Sequence, residues 1–287
     1  MIKLVAFDLD GTVVDHENIP TKSTLETIEK LIDRGIQVAS ISGRSISNSQ
    51  RPFEQHTDFA ETLSVGSYNG ALALDRVRQG IRSLLHEQRM PEDMFREIVS
   101  YVDSAGLNYI YCHLKFDDGC VKIEDYIPLR EDKTITDMVI QTGSAFVIDP
   151  DLTEKIESGF YGIPPKVLIC PGDDRREAVY ADLNSKFNDR LYIERTDVDR
   201  VEVMHPAVNK ARALAVICKA CGISVKESMA IGDGSNDLPM LESAGVGALL
   251  GNADQTTKNM AVNVEHLPSF HDNGFSKAVE RFVFDAD

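Results

Sequence analysis

The chain has 287 residues, 43% hydrophobic and 26% charged, more than one domain usually holds and apolar enough to build a packed core rather than stay disordered. Lys and Arg number 30 against 46 Asp and Glu, a formal net charge of -16. That balance repels phosphate backbones and anionic membrane surfaces, and the longest basic run is only Arg175-Arg176, so neither nucleic acid nor a membrane is an expected partner.

Residues 3–7 (KLVAF) form a short apolar run ending at Asp8, as expected of a buried parallel strand. Pro20 and Thr21 open a predicted helix with Leu25, Ile28 and Ile32 on one face, stopped by Gly35. A second strand is predicted over 36–40, a helical stretch runs through the mid-fifties, and a third strand lies at 63–65. The middle of the chain reads differently. Helical spacing at Met94, Ile98 and Val102 lies between Pro91 and Gly106. Two strands, 108–115 and 120–126, then flank Asp117-Asp118-Gly119 as a hairpin. Residues 129–163 carry no assignable pattern. A strand at 166–170, a helix with Val179, Leu183 and Phe187, and strands at 191–194 and 200–204 follow. Beyond them come a helix over 209–221 closed by Gly222, a strand at 229–231, a polar loop, a short helix and a strand at 246–250. The tail at 263–274, which carries His266, His271 and Asp272, is expected to be a surface loop.

Strands alternating with helices at both ends imply an α/β fold with a doubly wound parallel sheet covered on both faces. Helices with hairpins between them imply a separate α+β unit inserted into that core. The expected division is 1–84 with 206–287 for the core and 85–205 for the insert. The five cysteines, an odd number in a long chain, read as reduced thiols, and Cys218 with Cys221 as two core-facing thiols. The start MIKLVAFDLDG lacks the cationic opening and long apolar stretch of a secretory signal, so a cytoplasmic location is expected.

The chemistry gathers where strands and helices end. The first strand runs into Asp8-Leu9-Asp10-Gly11-Thr12, and open parallel sheets place their sites beyond the carboxyl ends of strands. One carboxylate of such a pair can attack while the other handles protons, and both can face a divalent metal. After the second strand, Ser42 offers a hydroxyl, Gly43 a close backbone approach and Arg44 a cation. Lys210 opens a helix, where its ammonium can neutralise a transferring phosphoryl group. In the loop 232–237 (GDGSND), Asp233 and Asp237 supply the hard oxygen ligands that Mg²⁺ prefers. No GxxxxGK[ST] sequence is present, which excludes a P-loop.

In this order and spacing the four motifs resemble the haloacid dehalogenase superfamily of phosphotransferases, and more narrowly its Cof-type phosphatases with a large α/β (type IIB) cap. The resemblance extends to Ser67-Tyr68-Asn69-Gly70-Ala71 before the insert and Leu249-Leu250-Gly251-Asn252-Ala253 after the acidic loop. It implies that Asp8 is the nucleophile and Asp10 the general acid, then base. Ser42 would hold a phosphoryl oxygen, with Gly43 and Arg44 beside it, and Lys210 would balance charge. Asp8 and Asp233 would bind Mg²⁺ through carboxylates and Asp10 through its backbone carbonyl, with Asp237 supporting the metal shell and Asn236 the phosphoryl side. The implied substrates are small phosphorylated metabolites, sugar phosphates first. A phosphosugar mutase of the same architecture and a non-catalytic metabolite sensor are the alternatives, and the complete set of acidic motifs speaks against the sensor.

Overall fold

The computed structural model describes residues 1–142 and 146–285. The chain divides into two compact units, one made of Met1–His86 with Asn209–Asp287 and the other of Glu87–Val208. In the first unit, β1 (Leu4–Phe7), α1 (Lys22–Asp33), β2 (Gln37–Ile41), α2 (Ile46–Glu54) and β3 (Ser64–Ser67) alternate as the apolar runs predict. Thr21 caps α1, accepting a hydrogen bond from the Thr24 amide, and Ser45 caps α2 through Asn48. Two short strands then follow, β4 (Leu72–Leu74) and β5 (Leu84–Glu87).

The second unit holds α3 (Glu92–Ser104), β6 (Asn108–Asp117), β7 (Cys120–Pro128), α4 (Lys133–Thr142), α5 (Leu152–Glu157), β8 (Lys166–Cys170), α6 (Arg176–Phe187), β9 (Tyr192–Thr196) and β10 (Arg200–Met204). Its five strands pair in the order β7-β6-β8-β10-β9, antiparallel at every junction. One face buries Tyr109, Tyr111, Val167, Ile169 and Val201 against Phe95, Ile98, Val102, Ile156 and Leu183 of the helices. On the other face Ile110, Leu168 and Cys170 meet Ile135 and Met138 of α4.

The chain then returns to the first unit with α7 (Lys210–Ala220), β11 (Ser228–Gly232), α8 (Leu238–Ser243), β12 (Val246–Leu249), α9 (Gln255–Met260), β13 (Glu265–His266) and α10 (Gly274–Val279). The sheet runs β13-β12-β11-β1-β2-β3-β4-β5. It is parallel from β13 through β3. Alternate residues of β1 face opposite layers. Val5 and Phe7 pack with Ile28, Leu31, Phe275 and Val279, while Leu4 and Ala6 pack with Leu214, Ile217 and Leu241. This is the doubly wound α/β core that the sequence implies, with helices on both faces.

Three expectations need correction. The sheet is not parallel throughout, because β4 returns antiparallel to β3. The turn Tyr68–Gly70 between them is too short for the crossover a parallel pair would need. The stretch 129–163 contains α4 and α5, with 143–145 outside the described residues. The tail at 263–274 is more than a surface loop: His266, His271 and Asp272 are exposed, but β13 extends the sheet, and Leu267 and Phe270 are buried in the core. Cys218 and Cys221 are both core-facing as expected, Cys218 buried and Cys221 half-buried against the same cluster.

Candidate active site

All the candidate residues belong to the first unit. The β1–β11 register aligns Phe7 with Ile231, and the Asp8 amide donates to the Ile231 carbonyl at 2.9 Å. The two acidic loops therefore leave neighbouring strands side by side at their carboxyl ends, the standard position for a site in a parallel sheet. Gly11 permits the approach: its φ is +72°, and a Cβ there would lie 2.3 Å from Asp233 Oδ2. Gly70 plays the same part for the helix, since a Cβ on it would lie 2.2 Å from the Asn209 carbonyl oxygen. Asn209 caps α7 through the Arg212 amide, and Lys210 is the first residue of that helix.

Lys210 is 1% exposed, and its Nζ donates to Asp8 Oδ1 and to Asp237 Oδ1, both at 2.5 Å. An ammonium at a helix N-terminus opposes the helix dipole, so the two carboxylates account for its place. Burial would lower its pKa, but Asp237 and Asp8 beside it hold the value above the ordinary one. Asp237 is fully buried, and its Oδ2 accepts the amides of Asp233 at 3.0 Å and Gly234 at 2.8 Å. Asp237 thus ties the loop to Lys210. Asp233 accepts from Thr12 Oγ1 at 3.1 Å and from Asn252 Nδ2 at 2.7 Å.

Carboxylate oxygens of Asp8, Asp233 and Asp237 lie within 4.8 Å of one another. The strain of that crowding is electrostatic. Burial, first, and the neighbouring Asp237, Asp10 and Asp233 carboxylates raise Asp8 well above the carboxylate range, against the opposing pull of Lys210. Asp233 is raised to about 7, by burial and then by Asp237. Three clustered carboxylates with one ammonium leave negative charge that a small hard cation is suited to cancel, and oxygen ligands are what Mg²⁺ takes. The residues present fit that ion.

Asp10 stands apart from this cluster. Its side chain is 61% exposed and lies in the fork of Arg44, whose Nε donates to Oδ2 at 2.9 Å and whose Nη2 donates to Oδ1. Ser42 is buried, with its amide donating to the Gly66 carbonyl at 3.0 Å. The Arg44 amide donates to Ser42 Oγ at 3.3 Å. Asn236 Nδ2 donates to Asn69 Oδ1 at 3.1 Å, and the Asn69 amide donates to the Ser42 carbonyl at 3.0 Å, so Asn69 joins the second and fourth motifs. A Cβ on Gly43 would sit 3.0 Å from that same Asn69 oxygen. The structure therefore brings Asp8, Lys210, Asp233 and Asp237 into one cluster and links Ser42 to Asn236 through Asn69. Thr12, Asn69 and Asn252 were not singled out as site residues. Small polar side chains in turns carry no periodic signal, and position within the motifs is what could have found them.

The chain is similar to known proteins over nearly its whole length. The family model for haloacid dehalogenase-like hydrolases matches residues 5–279. The chain is 27% identical over 280 residues to the HMP-PP phosphatase of Escherichia coli (strain 55989 / EAEC), covering 93% of this chain and 90% of that protein. The HMP-PP phosphatase of Shigella boydii is also 27% identical, over 93% and 94% of the two chains. Among solved structures, TM0651 from Thermotoga maritima superimposes with a TM-score of 0.81 at 22% identity, covering 98% of each chain. The subclass IIB sugar phosphatase BT4131 gives 0.74 at 18% identity, again over 98% of each chain. The chain belongs to the haloacid dehalogenase-like hydrolase family and is a hydrolase.

Proposed function

We propose that the protein is a Mg²⁺-dependent phosphatase that hydrolyses small phosphorylated metabolites, sugar phosphates first, through a phosphoryl group carried on Asp8. The observation that carries this reading is the buried Lys210 held between Asp8 and Asp237 with Asp233 beside them. A nucleophilic carboxylate, a fixed cation and crowded acidic ligands meet at the end of β1, an arrangement suited to phosphoryl transfer. The names of the relatives, HMP-PP phosphatase and sugar phosphatase, support the reaction class.

In this reading Asp8 attacks phosphorus, the bond to the leaving oxygen breaks, and Asp10 gives that oxygen its proton. Asp10 then takes a proton from the water that releases phosphate from Asp8. The Lys210 ammonium offsets charge on Asp8 and on the phosphoryl oxygens. Ser42 and Asn236 hold those oxygens, with the Gly43 backbone close by. Asp8 and Asp233, with the Asp10 carbonyl, would hold Mg²⁺, and Asp237 would fix the loop that presents Asp233. When bound, the ion supplies the positive charge that lets a phosphoryl dianion approach these carboxylates.

We assign choice of the leaving group to the inserted unit. The five free cysteines suit a reducing compartment, and we place the enzyme in the cytoplasm; no helix among the described residues is long and apolar enough to cross a membrane. Inorganic phosphate release across a panel of sugar phosphates, other alkyl phosphates and HMP-PP tests the reading. Release should require Mg²⁺ and stop in excess EDTA; full turnover in chelator would remove the metal from the account.

A further inference from the structure

We propose that Asn18 is a positioning residue for Asp10, acting through Arg44. The inference rests on the phosphatase reading, in which Asp10 exchanges the proton. Arg44 is held from several sides: Nε and Nη2 fork the Asp10 carboxylate, Nη2 also donates to Asn18 Oδ1 at 2.6 Å, and Nη1 reaches the Asn48 carbonyl at 3.5 Å. A forked guanidinium fixes both the plane and the rotation of the carboxylate it grips. Asp10 has 61% of its side chain exposed, so that grip, rather than packing, sets the direction of the acid. The grip is only as firm as the guanidinium itself, and outside the fork Asn18 Oδ1 holds Nη2 at 2.6 Å.

The segment carrying Asn18 is built to present it. Isolated bridges join Asp10 to Val14 and Val14 to Pro20, folding residues 15–19 back beside the first motif. Asp15 Oδ1 accepts the amides of Glu17 and Ile19, both at 2.9 Å, and the Asn18 amide donates to the Asp15 carbonyl at 3.1 Å. Asn18 itself has φ +64°, a left-handed conformation that Asn and Gly tolerate better than other residues. The turn therefore supplies its own internal bonds, leaving the Asn18 side chain to hold Arg44. The resemblance places Arg44 beside the phosphoryl-binding Ser42, on the substrate side of the site. The geometry gives it a second duty, and the two duties predict different kinetics.

Two variants separate them. Asn18→Gly keeps the backbone conformation and removes the acceptor; Asn18→Asp keeps an acceptor at the same reach. Both are assayed as full-length protein with Mg²⁺, after a thermal melt shows they fold. The substrates are p-nitrophenyl phosphate and the alkyl phosphate of the panel that the wild type hydrolyses fastest. kcat/KM reports events through phosphoryl transfer to Asp8, and p-nitrophenolate leaves with little need of a proton. Asn18→Gly should lower kcat/KM for the alkyl phosphate about tenfold, inside the ~10²–10⁴-fold that acid–base catalysis contributes. The value for p-nitrophenyl phosphate should change less than about twofold, and Asn18→Asp should restore most of the alkyl rate. Equal losses on both substrates would make Asn18 part of phosphoryl binding and overturn the proposal. A loss that Asn18→Asp does not restore, no loss at all, or a faster alkyl reaction in Asn18→Gly would overturn it as well. A wild type that releases phosphate from nothing in the panel would instead sink the phosphatase reading beneath it.

Discussion

Asp149 in the inserted unit and Asp8 in the parallel-sheet unit expose little surface, 7% and 6%, but Asp8 lies far deeper, and their acidities move in opposite directions. Burial raises both. At Asp149 it is outweighed by Lys155, whose Nζ lies 2.7 and 2.8 Å from the two oxygens, by the Tyr161 hydroxyl at 2.9 Å and by the Asp151 amide at 3.1 Å, and the pKa falls below the ordinary value. At Asp8, Lys210 is shared with Asp237, while Asp237, Asp10 and Asp233 add negative charge, and the pKa rises. The first arrangement is complete within the protein and serves stability. The second is under-compensated, which makes it a poor way to stabilise a fold and a good way to receive a cation and a phosphoryl group.

Swapping the lysines tests that contrast most severely. Lys210→Ala leaves two buried carboxylates without their ammonium and should cost about 3–5 kcal/mol of stability, measured by urea unfolding, together with all turnover. Lys155→Ala breaks a pair whose lysine is partly exposed and screened by solvent, so it should cost much less than Lys210→Ala and leave phosphate release unchanged. If Lys155→Ala silences the enzyme while Lys210→Ala does not, the two regions have been read the wrong way round.

Metal addition should distinguish the units next. Mg²⁺ at about a hundred times its dissociation constant should stabilise the wild type by about 2.7 kcal/mol, visible as a rise in Tm. Asp233→Asn should lose most of that rise and Asp149→Asn should keep it. Among the described residues the only group of three acidic or other ligating side chains able to share an ion is Asp8, Asp233 and Asp237.

The pH dependence separates the units last, because its sign differs between them. Asp8 and Asp233 have folded pKa values above their ordinary 3.8, so the metal-free folded state binds more protons than the unfolded one. Stability should therefore fall as pH rises from about 4 to about 7, by at most ~1.4 kcal/mol per pH unit for each group. Asp149 has a lowered folded pKa, so its contribution is present above about pH 4 and lost as pH falls from there through the lowered folded value. Asp233→Asn should flatten the slope between pH 4 and 7, whereas Asp149→Asn should leave the slope and lower the whole curve. An unchanged slope in Asp233→Asn would show that Asp233 does not titrate in that interval.

The same contrast explains what could be read in the sequence. β1, β2 and β11 were legible because each is an apolar run closed abruptly by polar or small residues, which also put Asp8, Ser42 and Asp233 on view. β4 and β13, with three and two residues, are too short to show a period, and β5 (LLHE) is half-buried throughout and gives no continuous apolar run. α4 hid because Ile140 is 77% exposed on the helix that buries Ile135 and Met138, which blurs the apolar stripe. Asn252 lies 19 residues beyond Asp233 yet bonds to it, and only the β12–β13 connection brings it there. Charge at the end of an apolar strand announces itself; a small amide that orients the charge does not.

The central claim is that Asp8 carries the phosphoryl group while Asp10 handles the proton. The most direct test is to acid-quench Asp10→Asn during turnover of p-nitrophenyl phosphate with Mg²⁺ and weigh the peptide containing Asp8. Phosphorylation should outrun hydrolysis in that variant, leaving the mass of a phosphoryl group on the peptide, and Asp8→Asn treated alike should carry none. An adduct that accumulates on Asp8→Asn and never on Asp10→Asn would contradict the account and exchange the roles of the two carboxylates.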